Sequence, residues 1–396
     1  MGGSVGREHI ELQFSRRGLQ FLSKLLSGKV KFFWKIPDKA DVVIWDEVGS
    51  DVLSRSLHFS SYYVLRVRDN PFCMHPRVLF WTLLSLWSGS GSGSQSSAII
   101  RICAPRLVVT FIHNDINFHR LSCDFPKTRF LAIQNGMFGI GHTDEPYLNK
   151  SPGKYCSEFL VWGTREVVEL EQEGYQFKKV SIMGSLKSAA QLEHSSSTSD
   201  GTKMVVKYDL LLLSQFRINL LWDDPGECLL EYRALVFLVQ QLMRSYPDVR
   251  IGIAMSTTLG HEHHQKEASF HQEILGNSAQ LLPKSSDGYS AYYHLDSAGL
   301  VVSSCSSLAF ESLGRKHKTL ITSQTFYNRY STKLSMSDWV IDGFSAAIFN
   351  AKVFELLAME KIDFATRNRE STSYFIVSGD QVRLRDFVTA IRPKTF

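Results

Sequence analysis

Residues 210–213 read LLLL, four apolar side chains with no polar position between them. A strand with one face in water alternates polar and apolar residues, so a run without alternation is expected to be buried on both faces. The same texture recurs upstream at 41–46 (DVVIWD), 63–67 (YVLRV), 107–112 (LVVTFI), 130–134 (FLAIQ), 159–162 (FLVW) and 180–183 (VSIM). Downstream it returns at 249–254 (VRIGIA), 279–282 (AQLL), 300–303 (LVVS), 320–322 (LIT) and 339–341 (WVI). Longer helix-like stretches separate these runs. The clearest, 227–244, places Leu229, Leu230, Ala234, Phe237, Leu238 and Leu242 on one stripe. Short buried strands alternating with helices define an α/β chain of two βαβ domains in series, each a mainly parallel sheet with helices on both faces. No internal repeat of about 20–50 residues is visible, which argues against a solenoid.

The length agrees with that reading, because 396 residues at roughly 150 per domain give two to three domains. The polar stretch 194–203 (HSSSTSDGTK) reads as the linker between them. The expected division is a first domain over 1–193 and a second over 204–375, with 376–396 packing back on the first. Hydrophobic residues make up 44% and charged residues 21%, a globular composition. The formal net charge of +5 is spread thinly, which excludes a polybasic nucleic-acid arm and leaves room for a modest basic cleft facing an anionic ligand.

The six cysteines never form a CxxC pair, so neither a zinc site nor a secreted disulfide scaffold is indicated and a reducing compartment fits. The N-terminal residues lack the apolar segment of a signal peptide. The longest apolar run, 78–87 (VLFWTLLSLW), is half of the about 20 residues a bilayer span needs, so a buried or interfacial helix is expected in a cytoplasmic protein. Residues 88–94 alternate strictly as SGSGSGS, the texture of an engineered flexible linker standing in for a loop.

Neither a GxGxxG fingerprint nor a GxxxxGK[ST] phosphate loop is present, which weakens dehydrogenase and NTPase readings. In doubly wound folds, ligands bind beyond the carboxyl ends of the strands. After 300–302 comes Ser303-Ser304-Cys305-Ser306-Ser307, leading into a helix expected to begin near Leu308. Hydroxyls and free N–H groups at a helix N-terminus suit a phosphate. A simple N-cap with Glu311 in the first turns is the competing account, but four serines exceed what one cap needs. After 130–134 comes Asn135-Gly136, a tight turn that either borders a ligand or is only a turn. Asp144 and Glu145 could do acid/base work or merely be solvated. His113-Asn114 closes another strand and is open between a substrate contact and a cap. Arg217, after the leucine run, is placed to bind a carboxylate or phosphate. His261, His263, His264 and His271 lack a metal-binding spacing and read as a solvated loop.

Taken in order, KADVVIWDEVGSDVL, VVTFIHNDINFHRL, RFLAIQNGMFG, FLVWG, VSIMGSLKSA, LLLLSQFR and VVSSCSSLAFESLGRK resemble the bacterial retaining β-Kdo glycosyltransferases. The likeness is to the N-terminal β-Kdo transferase module of the larger enzymes that terminate lipopolysaccharide O-antigen chains, and it extends over nearly the whole chain. It implies two Rossmann-like domains facing a cleft (the glycosyltransferase-B type), with CMP-β-Kdo as donor and an oligosaccharide or lipid-linked polysaccharide as acceptor. It also implies further domains of a larger enzyme, and a cytoplasmic location, peripheral at the inner membrane.

In this resemblance Ser306 and Ser307 match the serine motif that holds the CMP phosphate, Ser304 joins them among the expected donor-binding residues, and Glu145 matches the acid/base. The Gln-x-x-x-Asp motif falls on Gln215 to Asn219, with Arg217 between them, and its aspartate is understood to attack the Kdo anomeric carbon. Asn219 departs from that pattern and is expected to cripple the covalent step, as a deliberate Asp→Asn exchange would. The family's His-Pro motif is not intact; the nearest counterpart is Leu282-Pro283-Lys284, where Lys284 could face a phosphate. A monophosphate leaving group needs no metal, so no metal or other cofactor is expected. The competing functions are a polyol-phosphate transferase, a sugar-nucleotide epimerase of the same fold, or a non-catalytic nucleotide-sugar-binding module.

Overall fold

A computed structural model describes residues 32–57, 61–68, 72–87, 95–137, 153–198, 206–217, 227–285, 289–304, 306–335 and 337–379. Its strands are β1 (Phe32–Phe33), β2 (Val42–Trp45), β3 (Tyr62–Leu65), β4 (Phe72–Cys73), β5 (Leu107–Thr110), β6 (Arg129–Ile133), β7 (Glu158–Val161), β8 (Lys179–Ile182), β9 (Tyr208–Leu213), β10 (Ile251–Thr258), β11 (Gln280–Lys284), β12 (Ala298–Ser303), β13 (Thr319–Thr322) and β14 (Val340–Ile341). One six-stranded sheet has the order β3-β2-β5-β6-β7-β8 and the other β11-β10-β9-β12-β13-β14; among the described residues β1 pairs with β4 alone. The described pairings are parallel. These are two parallel-sheet α/β domains, and every run read as a strand lies on one of them. The two-residue strands β1 and β4 are too short to show a periodicity.

By compactness the chain divides into residues up to Ile112 with Asn117–Ala132, and His113–Ile116 with residues from Ile133 onward. In the first unit, Val43, Ile44, Val108, Val109 and Leu131 are fully buried, as unalternating strands require. Trp45 and Phe130 each meet the ring of Phe118 edge-on. The helix Pro76–Trp87 buries Val78 but leaves Phe80 59% and Leu83 66% exposed, so the apolar run 78–87 faces water as well as core. Among the described residues no helix is long and apolar enough to cross a membrane. The SGSGSGS stretch lies outside the described residues.

In the second unit β9 is central. Leu210 stands beside Ile251 of β10 and Leu300 of β12, and Leu210, Leu211 and Leu212 are fully buried. The neighbouring helix Glu227–Ser245 buries Tyr232, Leu235, Val236, Leu238, Val239 and Leu242. This corrects the expected stripe, since Leu230 and Phe237 are 48% and 41% exposed. Apolar residues lie on several sides of this helix, and the Tyr232 hydroxyl is accommodated inside, 2.7 Å from His271 Nε2. The stretch 194–203 also differs from expectation, because the helix Leu186–Thr198 runs into it. Its Leu186, Ala189 and Ala190 are buried, and that packing carries the helix on into serines of middling propensity. Further on, Val377 N–H donates to Trp162 O at 2.9 Å. Gly184, at φ +75°, lies so close to Val377 O that a Cβ would collide with it.

Candidate functional site

The strand order β11-β10-β9-β12 reverses direction of progression between β9 and β12, the point at which such sheets bind ligands. Both exits at this point are held by side chains. From the helix His264–Leu275, the fully buried Glu267 accepts hydrogen bonds from Ser214 Oγ (2.5 Å), Ser256 N (2.8 Å), Thr257 N (3.0 Å) and Thr257 Oγ1 (2.5 Å). That carboxylate ties off the ends of β9 and β10. The next residue, Gln215, presents Oε1 to the serine loop after β12. It accepts from Ser303 Oγ (3.2 Å), Ser304 N (3.2 Å) and Ser304 Oγ (2.6 Å).

The serines divide the work. Ser303 and Ser304 are fully buried, and Ser303 Oγ also accepts from Ser306 N (3.1 Å). Ser306 is the N-cap of the helix Ser307–Gly314, accepting from Leu308 N at 3.3 Å. Ser306 and Ser307 are half-buried, with hydroxyls at the start of that helix. Glu311 takes no part in the cap. It is buried, accepts from Tyr292 OH (3.0 Å) and Ser185 Oγ, and burial pushes its carboxyl above the ordinary range.

The Asn135–Gly136–Met137 turn of the same unit meets this loop. Ser307 Oγ accepts from Met137 N at 2.9 Å. A Cβ on Gly136 would stand 2.8 Å from Ser307 Oγ, so a larger residue there would force that hydroxyl or the turn to shift. Asn135 N donates to His113 Nδ1 at 3.3 Å, and Asn135 Oδ1 is buried without a hydrogen-bond partner among the described residues. His113 is buried beside Phe159, and Asn114 is half-buried on the turn that follows. The structure thus brings Gln215, Ser304, Ser306, Ser307, Gly136, Asn135 and His113 into one chain of contacts. Arg217 is exposed and touches Phe216 O (3.4 Å). Lys284 is exposed at the end of β11, and no hydrogen bond joins it to the serine loop among the described residues. Glu145 and Asn219 lie outside the described residues.

A buried polar network behind the turn was not anticipated. Gln134 Nε2 donates to Gly136 O (3.1 Å) and Glu166 Oε1 (2.9 Å), while its Oε1 accepts from Trp162 N (2.6 Å). Arg165, fully buried, donates to Glu166 (3.3 Å), Glu169 (2.8 Å) and Tyr330 OH (2.7 Å). Burial opposes the Arg165 charge, but Glu166, Tyr330 and Glu169 hold it protonated; burial raises the Glu166 carboxyl. The i,i+4 spacing of Arg165 and Glu169 is a sequence signal for a helix pair, but nothing in it marks the pair as buried. Among the described residues no cluster of three or more His, Cys, Asp or Glu is placed to hold a metal. His271 is instead buried, its Nδ1 2.8 Å from Glu267 O.

The two parallel-sheet domains have the glycosyltransferase-B fold. Among solved structures the chain is similar to a Listeria monocytogenes protein named provisionally as a UDP-N-acetylglucosamine 2-epimerase (TM-score 0.55, 11% identity, 91% of this chain and 100% of that one). It is also similar to S. aureus MnaA in a co-structure with UDP (0.52, 12%, 88% and 96%). A third is the Neisseria meningitidis UDP-GlcNAc 2-epimerase bound to UDP-GlcNAc (0.52, 11%, 89% and 99%). At these identities the likeness is one of fold. No family model matches the chain, and no curated protein matches it by sequence.

Proposed function

We propose that the chain is a nucleotide-sugar enzyme that anchors the phosphate of its substrate on the hydroxyls of Ser306 and Ser307 at the positive end of the helix Ser307–Gly314. The observation that carries this reading is Gln215 holding the serine loop at the β9/β12 reversal, which leaves two half-buried hydroxyls at a helix N-terminus. Hydroxyl donors and the positive helix end neutralise a phosphate as it takes up charge.

Two chemistries fit such an anchor. Similar structures named as UDP-GlcNAc 2-epimerases, from Listeria monocytogenes and Neisseria meningitidis, favour a sugar-nucleotide epimerase acting on a UDP-sugar. The motifs of the chain support retaining transfer of β-Kdo from CMP-β-Kdo to a sugar hydroxyl. In that reaction a carboxylate at position 219 forms a bond to the anomeric carbon as the bond to the CMP phosphate breaks. The acceptor hydroxyl then displaces the carboxylate while Glu145 takes its proton. Asn219 lacks the charge for the first step, so this chain would bind donor and turn over little. Comparisons favour the epimerase over the transferase.

Calorimetry with CMP, CDP and UDP, followed by assays of both reactions, separates them. An epimerase prefers UDP and interconverts UDP-linked sugars as it stands. A Kdo transferase prefers CMP and gains transfer from CMP-β-Kdo in Asn219→Asp. Absence of nucleotide binding, or binding unchanged in Ser307→Ala, overturns the common anchor.

A further inference from the structure

The helix Ser307–Gly314 has a second feature at its other end, ~12 Å from the serine loop at ~1.5 Å per residue. There it opens on a groove, about half open to solvent, with a volume of about 1000 Å³. Arg315, Lys316, Lys361 and Arg369 line it, and among the described residues no carboxylate does.

Arg315 is already committed, since Asp296 accepts two hydrogen bonds from it, at 2.6 and 2.7 Å, and Gln191 a third at 2.8 Å. The other three are not neutralised in this way. Lys361 Nζ is 3.1 Å from His317 Nδ1, and among the described residues no ion pair joins Lys316, Lys361 or Arg369 to a carboxylate. One cation would complement the negative end of the helix, but three go beyond that need.

Lys316 supplies an independent sign. Its φ is +63°, the left-handed region in which a residue bearing Cβ is disfavoured and glycine is the usual helix terminator. A lysine held there places a charge at the groove wall at the expense of backbone comfort. Most of the remaining exposed wall is apolar, led by Ile362 (75% exposed) with Ala365 over the buried Leu313, Phe364 and Ile376, and Thr366, Thr372, Ser373 and Ser378 add hydroxyls to it. Cations on an apolar wall complement a phosphate joined to a hydrocarbon chain, and neither a bare anion nor a neutral amphiphile satisfies both halves.

We propose that this groove binds a phosphate-bearing amphiphile, separately from the nucleotide anchor at the opposite end of the helix. The probe is dihexanoylphosphatidic acid below its micelle concentration, titrated into the full chain by calorimetry. Inorganic phosphate, dihexanoylphosphatidylcholine and a short poly-glutamate peptide are the comparison ligands. Saturable binding is expected for the phosphatidic acid, at least about tenfold tighter than for any comparison ligand. Lys316→Gly with Arg369→Gln is expected to weaken it by about tenfold or more, while Lys316→Gly alone melts no lower than the parent because glycine suits that backbone. Ser307→Ala should leave it unchanged. The proposal is overturned by no binding, by equal binding of phosphate or peptide, by full affinity in the double variant, or by loss of binding in Ser307→Ala.

Discussion

The Ser307 hydroxyl accepts a hydrogen bond from the Met137 amide at 2.9 Å, joining the loop after β12 to the turn after β6 across 170 positions of sequence. Accepting that bond leaves the hydroxyl proton of Ser307 free to donate to a phosphate. Ser307→Ala therefore loses a charge-assisted bond of about 1.5–3 kcal/mol, or roughly ten- to a hundredfold in affinity for the preferred nucleotide. Titration calorimetry reads this directly, and an unchanged dissociation constant would refute the anchor.

Gly136→Ala tests the same junction from the other side. The new Cβ would lie 2.8 Å from Ser307 Oγ, so the turn or the serine must give way. Nucleotide affinity should fall by about tenfold while the melting temperature changes little, because the strain sits in one turn and not in the core. A full-affinity variant would show that the contact does not position the site.

Gln215→Leu removes the acceptor shared by Ser303 and Ser304, both fully buried. Leaving those donors unpaired costs about 1–3 kcal/mol in folding, and the loosened loop should bind nucleotide more weakly. Denaturant unfolding and calorimetry check the two effects on one preparation.

Arg165→Met leaves Glu166 and Glu169 without their buried cation. The expected loss is about 3–5 kcal/mol, read as a lower denaturation midpoint. A drop below about 1 kcal/mol would mean that the carboxyls take up protons or water at little cost.

The pH dependence turns on His271. Its Nδ1–H donates to Glu267 O, which can only accept, so Nε2 receives the Tyr232 hydroxyl. Burial lowers the imidazole pKa below its ordinary 6.5, against the pull of Glu267. A group depressed in this way contributes stability in full above about pH 6.5 and loses it as pH falls from there through the folded value, because only the unfolded chain takes up the proton. Raised carboxyls such as Glu166 and Glu311 act in the opposite sense. The comparison is therefore between parent and His271→Gln. The parent melt should fall more steeply between about pH 7.5 and 5.5; parallel curves would remove His271 as the cause.

What could be read from the chain follows from the range of each interaction. The leucines of β9 and the valines of β2 and β5 announce buried strands because every position in them is apolar. Four serines ahead of Leu308 announce a crowded helix start for the same local reason. The C-terminal boundary of the helix Leu186–Thr198 was hidden, because packing of Leu186 and Ala189 overrides the weak preferences of the serines beyond.

Sequence alone determined two parallel α/β domains, a polar loop at a helix start and the absence of the usual dinucleotide and triphosphate motifs, since all three are written in neighbouring residues. Only the tertiary structure decided that Gln215 holds the serines and that Ser307 meets Met137. It also placed Arg165 in the dry interior and gathered Lys316, Lys361 and Arg369 around one groove. These are pairings between residues far apart in the chain, and their strength depends on burial, which no residue carries as a local property.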